Sequence, residues 1–202
     1  IENEAYKFSI KQHEHSGKSN LPKVVDDLDN YYLINKLKYT CALLNYSSII
    51  ETGYRSKYIN EIINHLQTHK YDHIPLLDTY FRIFMCFQET EDETHYDILK
   101  KLLRKHGNEF KEAESRTIYK FILNYCIKKL NLGKVSYLNE IFDLFKTMIN
   151  NKTIFENGMM SEWDYKNIVT TGLKLRKPEW VNSFIEMYKN RIPKEHREIV
   201  YK

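Results

Sequence analysis

The sequence is poor in the residues that punctuate a chain. Only 6 glycines and 4 prolines occur in 202 residues, and most fall between periodic segments rather than inside them, which favours long helices over a many-turned β fold. The 3 cysteines cannot all pair, and none lies close to another in sequence, so neither a disulfide framework nor a paired-cysteine metal motif is encoded. No apolar run approaches the roughly 18 residues that a membrane span needs, and no membrane insertion is expected. Charge of one sign is also missing: the formal net charge of +4 is spread along the chain, a pattern that argues against nucleic acid as the partner, because phosphate binders concentrate Lys and Arg on one surface. A Gly-rich phosphate loop, a Gly-x-Ser-x-Gly elbow and a His-Glu-x-x-His helix are all absent. The chain is therefore read as non-catalytic, with no cofactor and no metal or catalytic residue assigned. A helical enzyme whose site is assembled from distant positions is kept as an alternative.

The first residues hold Glu2, Glu4, Lys7 and Lys11 where a signal peptide would be apolar. Residue 1 is Ile, and the chain is read as cytoplasmic and as part of something longer. Residues 1–20 are expected to be the end of a preceding helix or a linker around Gly17, and 21–202 a single helical-repeat domain.

What is present is apolar periodicity. Between Leu28 and Ser48, Tyr32, Leu33, Leu37, Cys41 and Leu44 recur at three- and four-residue spacing while Tyr31, Ile34 and Leu43 fill the other face, predicting a helix buried on two sides. Tyr58, Ile59, Ile62, Ile63 and Leu66 then form one stripe over 54–69, predicting an amphipathic outer partner. The alternation repeats. Asp72 is read as an N-cap and Pro75 as a first-turn residue of a helix through Leu77, Tyr80, Phe81, Phe84 and Phe87. Tyr96, Leu99, Leu102 and Leu103 mark the next, with Gly107 as a left-handed C-terminal cap. Helices over 118–130, stopped by Gly133, and 137–149 follow. The last pair opens at Ser161, spaced to Asp164 as in a capping box, restarts at Pro178 and ends before Pro193. Four hairpins result, approximately 24–70, 72–107, 115–150 and 161–193, with another helix beginning near 194.

The third and fourth hairpins repeat one another. Tyr119, Lys120, Ile122, Cys126, Ile127 and Lys128 match Tyr165, Lys166, Ile168, Gly172, Leu173 and Lys174 at an offset of about 46 residues. Tyr137, Leu138, Ile141, Phe142, Phe145 and Ile149 match Trp180, Val181, Phe184, Ile185, Tyr188 and Ile192 at about 43. Cys41, Cys86, Cys126 and Gly172 each fall midway along a first helix, where a small residue lets the paired helix approach. Gly172 is expected to lie near Phe184, with Ala there near neutral and Leu overpacked.

The hairpin from Trp163 through Tyr165, Gly172, Leu173, Trp180, Phe184 and Pro193 resembles a unit of the tetratricopeptide-like superfamily, with a period longer than that family's roughly thirty-four residues. The overall cadence is also similar to large helical proteins of Bacteroidota. The resemblance implies an all-α fold of antiparallel hairpins stacked into a right-handed superhelix that binds a protein or peptide partner. The fourth hairpin is also similar to a pentatricopeptide unit, in which Asn167 would help to read an RNA base, but Phe121 stands at the equivalent place one repeat earlier and cannot. An RNA-binding repeat protein is thus the first alternative, ahead of the helical enzyme.

Two constellations remain. His65, His69 and His73 are spaced by four and could ligate zinc, although His65 and His69 also suit the last turn of a helix, where a cation meets the helix dipole. The surplus of tyrosines offers large rings with a polar tip, suited to a peptide-binding surface if they face outward and to wide interhelical gaps if they do not. Tyr31, Tyr39, Tyr46, Tyr80, Tyr125 and Asn167 are the candidate protein-binding residues.

Overall fold

Long amphipathic segments with so few breakers have one economical solution, and the computed structural model adopts it. Residues 20–47 and 56–193 are described. Among them eight α-helices occur and no strand: α1 (Leu21–Ser47), α2 (Ile59–Thr68), α3 (Pro75–Gln88), α4 (Thr94–His106), α5 (Glu112–Asn131), α6 (Tyr137–Asn150), α7 (Glu162–Lys174) and α8 (Pro178–Tyr188). No helix among the described residues is long and apolar enough to cross a membrane. The chain divides into two units between His106 and Gly107. The readings of residues 1–19 and of a helix beginning near 194 lie outside the described residues.

In the first unit α3 is the hub, packing on α1 and on α4. It buries Leu77, Tyr80, Phe81, Ile83, Phe84, Met85 and Cys86, whereas α1, among its described side chains, contributes Leu37, Thr40 and Cys41 to the core. The Cys41 thiol donates to the Tyr80 carbonyl at 3.7 Å, and burial pushes that thiol far above its ordinary range. The expectation that α1 is buried on two sides is overturned. A helix of 27 residues is about 40 Å long, and α3 with 14 residues is about half that length.

Two local readings change as well. Asp72 does not cap α3: Ile74 is the N-cap, and Pro75 takes the first helical position. Its fixed φ and missing N–H cost nothing there. Gly107 does not end α4 in the left-handed region; it opens a short 3-10 turn, Gly107–Glu109. Tyr58, placed on the α2 stripe by spacing, precedes the helix at φ 60° and is exposed, leaving Ile62 and Leu66 as the buried pair.

In the second unit α5 packs on α6, α6 on α7, and α7 on α8. On the first helices of the two hairpins Tyr119 and Tyr165, Ile122 and Ile168, and Cys126 and Gly172 are all buried, whereas on the second helices Ile141 and Phe184 are the one matched pair of the six that is buried in both. Gly133, at φ 89°, follows the end of α5 as its spacing predicts. Ser161 caps α7, its hydroxyl oxygen accepting from the Asp164 amide at 3.0 Å and its proton going to the Asp164 carboxylate at 2.7 Å. Pro178 sits in the first turn of α8. Gly172, however, faces Val181, Trp180 and Phe142 rather than Phe184.

Between α6 and α7 the loop is built rather than merely spanned. Asn157 (φ 52°) and Gly158 (φ 77°) make a tight reversal closed by the Glu156–Met159 bridge, the turn chemistry that Asn-Gly favours. Arg116 on α5 anchors it, donating to the Thr153 carbonyl at 3.2 Å and the Phe155 carbonyl at 2.6 Å while pairing with Glu112 at 2.8 Å. Arg191 holds the far side through the Gly158 carbonyl at 3.1 Å.

Candidate functional site

The candidate residues separate into core and surface. Tyr80 and Tyr125 are fully buried and offer no binding surface. Tyr80 shares the inward face of α3 with Leu77 and Phe84, and Tyr125 shares that of α5 with Ile118 and Ile122, so both fill interhelical space. The Tyr125 ring meets that of Tyr137 edge to face at 6.0 Å, with the buried Lys129 ammonium near both rings. Asn167 is exposed on α7, in the second unit, and the Tyr46 side chain lies outside the described residues. Tyr31 and Tyr39 are exposed on α1.

These two tyrosines belong to a longer surface. Leu21, Val25, Leu28, Tyr32 and Tyr39 follow one another at steps of four, three, four and seven, and with Tyr31 they are between 44% and 65% exposed. Steps of this kind keep side chains on one stripe of a helix. Asn35 completes the spacing, its amide donating back to the Tyr31 carbonyl at 2.8 Å. The charges of the helix are polarised along it: Asp26, Asp27 and Asp29 stand in its first half, Lys36 and Lys38 in its second. The opposite side near the C-terminal end, with Leu37, Thr40 and Cys41, is taken by α3. Reading the helix from Leu28 concealed the stripe, because Leu21 and Val25 are its first two members.

A second feature of the first unit is a cleft of about 380 Å³ bordered by Leu66, His69, Tyr71, Phe81, Arg82 and His95. Arg82 joins its parts, with Nε donating to Asp78 at 2.9 Å and Nη1 to His95 Nδ1 at 3.1 Å. His95 Nε2 lies 3.4 Å from the Glu89 carboxylate. Both imidazole nitrogens are thereby engaged, and neither is left to take a proton from a substrate. Burial and then the Arg82 guanidinium hold the His95 pKa below its ordinary value, partly opposed by Glu89 and Asp92. The folded state thus resists a proton that the unfolded chain accepts near pH 6.5, so His95 contributes fully above that pH and loses its contribution as pH falls below it. The thermal midpoint should drop between about pH 7.5 and about pH 5.5, and the drop should shrink in a His95→Gln variant. An unchanged pH profile in that variant would remove His95 as the cause.

The histidines read as a possible zinc set are arranged otherwise. His65 Nε2 shares a 2.6 Å hydrogen bond with the Tyr71 hydroxyl, and His69 Nδ1 donates to the His65 carbonyl at 3.0 Å. Tyr71 stacks on His73 at 6.0 Å. Among the described residues no group of three or more His, Cys, Asp or Glu side chains could hold a metal ion. In the second unit, Lys146 and Lys177 approach the Phe142 ring, itself 4.6 Å from Trp180, beside Arg176 in a shallow depression.

The chain matches no family model, no curated protein and no solved structure. What the described surface offers is an outward stripe of aliphatic and tyrosine side chains on α1, large rings with a polar tip.

Proposed function

We propose that this chain is a non-catalytic helical-repeat scaffold, a divergent relative of the tetratricopeptide-like superfamily stacked as a right-handed superhelix, whose task is to hold a protein partner. The observation that carries this reading is the α1 stripe, because contiguous exposed apolar surface on one helix marks a place where another macromolecule sits. The shared burial pattern of α5 with α7 supports the repeat. A protein partner is favoured over RNA because Phe121, at the place corresponding to Asn167, is buried in the core.

Incorporating a photo-crosslinking phenylalanine analogue at Tyr39 in the native host tests the reading. A discrete protein adduct, resistant to ribonuclease and lost when Leu28→Lys is added, is the expected result. Adducts to RNA alone, or none at all, would overturn it.

A further inference from the structure

We infer that Asn157 is a site of self-modification, at which the folded chain loses the side-chain amide as ammonia through a cyclic imide formed with the Gly158 backbone nitrogen, at a rate set by opening of the loop between α6 and α7.

Sequence and geometry converge on this residue. Asn157 is the one asparagine of the chain that precedes a glycine, and with no Cβ on residue 158 the following nitrogen approaches the side-chain Cγ unhindered. Both residues are exposed, and the Gly158 N–H has no hydrogen-bond partner among the described residues, so hydroxide reaches a proton that nothing else holds. Asn182, which precedes the next smallest residue, Ser183, lies inside α8, where the helix fixes the backbone.

The chemistry needs only water. Hydroxide takes the Gly158 amide proton, the nitrogen attacks Asn157 Cγ, and the new N–Cγ bond closes a five-membered imide while the side-chain nitrogen takes up a proton and leaves as ammonia. Water then opens the ring. Opening at Cγ leaves aspartate on an ordinary backbone, and opening at the main-chain carbonyl leaves isoaspartate, with the chain rerouted through Cγ. One water is consumed, one ammonia is released and nothing is oxidised or reduced.

The fold controls the rate through the turn. Asn157 at φ 52° and Gly158 at φ 77° are held by paired bonds between Glu156 and Met159, at 2.8 and 3.0 Å, and closing the imide requires Asn157 to leave this conformation. Arg116 fixes one side of the loop through the Thr153 and Phe155 carbonyls. Arg191 fixes the other, its guanidinium donating to the Gly158 carbonyl and its own carbonyl accepting from the Met160 N–H at 2.7 Å. Reaction therefore proceeds from the fraction of molecules in which the loop is open. Isoaspartate adds a methylene to a two-residue turn whose length sets its register, so the Glu156–Met159 pairing is lost in the product. Aspartate instead places a carboxylate in the hollow shared with Lys152 and Arg191.

Incubating the full 202-residue chain in mildly alkaline buffer, folded and in urea, tests the inference by peptide mass spectrometry, with fragmentation separating isoaspartate from aspartate. The folded chain should gain the mass of amide-to-acid exchange at residue 157 before any other asparagine, and Asn157→Gln, which would have to close a larger ring, should keep its amide. Urea should speed conversion at least about tenfold by opening the loop in every molecule. Arg116→Ala, shown to be folded by circular dichroism, should speed it about tenfold, and Arg191→Ala, which loses a more exposed bond, about threefold. Should Arg116→Ala fail to fold, Arg191→Ala carries the test of the anchors. A folded chain that keeps its amide at 157 while the urea sample loses it, or one in which another asparagine converts first, would overturn the site. Conversion of the folded anchor variants at the wild-type rate would overturn the loop as the gate.

Discussion

Replacing Gly172 by leucine should lower the stability of the chain by about 3 kcal/mol, the largest effect we expect from any residue without a side chain. A Cβ built on Gly172 would lie 2.5 Å from Val181 Cγ2, with Trp180 Cε3 at 3.6 Å and Phe142 Cε2 at 3.7 Å. Val181 is buried and β-branched, so its methyl group has no long stem along which to retreat. Even alanine should therefore destabilise, by about 1 kcal/mol after the roughly 1 kcal/mol gained from helix propensity, where spacing alone suggested a neutral change. Val181→Ala should rescue Gly172→Ala by vacating the contested volume. Urea denaturation of the single and double variants measures this. An unchanged midpoint for Gly172→Leu would mean that α7 and α8 do not meet at this point.

Arg116→Ala should cost about 3 kcal/mol, because it removes charge-assisted bonds to two backbone carbonyls at once. Thr153 is buried, so its carbonyl has no water to turn to, and the penalty is that of a stranded acceptor rather than of one exchanged bond. Arg116→Lys should recover little, since an ammonium cannot reproduce the fork that reaches Thr153, Phe155 and Glu112 together. Hydrogen exchange should show residues 151–160 losing protection before α5 and α6 do. Equal protection in wild type and variant would remove Arg116 as the anchor.

Both cases mark the boundary of what the sequence discloses. Ser161, Gly133 and Pro178 act through the residues beside them, and local rules placed each correctly. Cys41, Cys86 and Cys126 were placed in the core by their recurrence, and all three are buried. Gly172 was placed against a partner helix, but which atoms of that helix it meets depends on a crossing geometry that periodicity does not contain. Arg116 reaches 37 and 39 residues along the chain to its carbonyls, and no spacing rule links a helix to a loop so far away. Asp72 and Gly107 show the opposite failure, residue types suited to a cap at places where the chain turned by other means.

For the candidate surface the difficulty was one of sidedness. Tyr31, Tyr39, Tyr80 and Tyr125 are the same residue type on similarly apolar helices, and only the partners separate them. On α3 and α5 the neighbours close over the ring, whereas on α1 Tyr31 and Tyr39 point away from the side that carries Leu37 and Cys41. The clue available in the sequence was composition along the helix: Asp26, Asp27 and Asp29 interrupt the apolar residues of the first half, and nothing comparable interrupts 79–87 on α3.

The shallow burial of the first half of α1 also bears on how that helix is held. From Leu21 to Lys36 no side chain is buried; the first that is, Leu37, opens the segment gripped by α3. Residues 21–36 are held by half-buried side chains such as Val24, Leu33 and Ile34 rather than by fully buried ones, and Val24, Val25, Tyr31 and Tyr32 are mediocre helix formers. A partner seated on the stripe would add to that support. Under the protein-binding reading, recognition and ordering of the helix would be linked, part of each contact along 21–39 offsetting the entropy of fixing it, so the complex would be more readily reversible than one of equal area formed between two rigid faces.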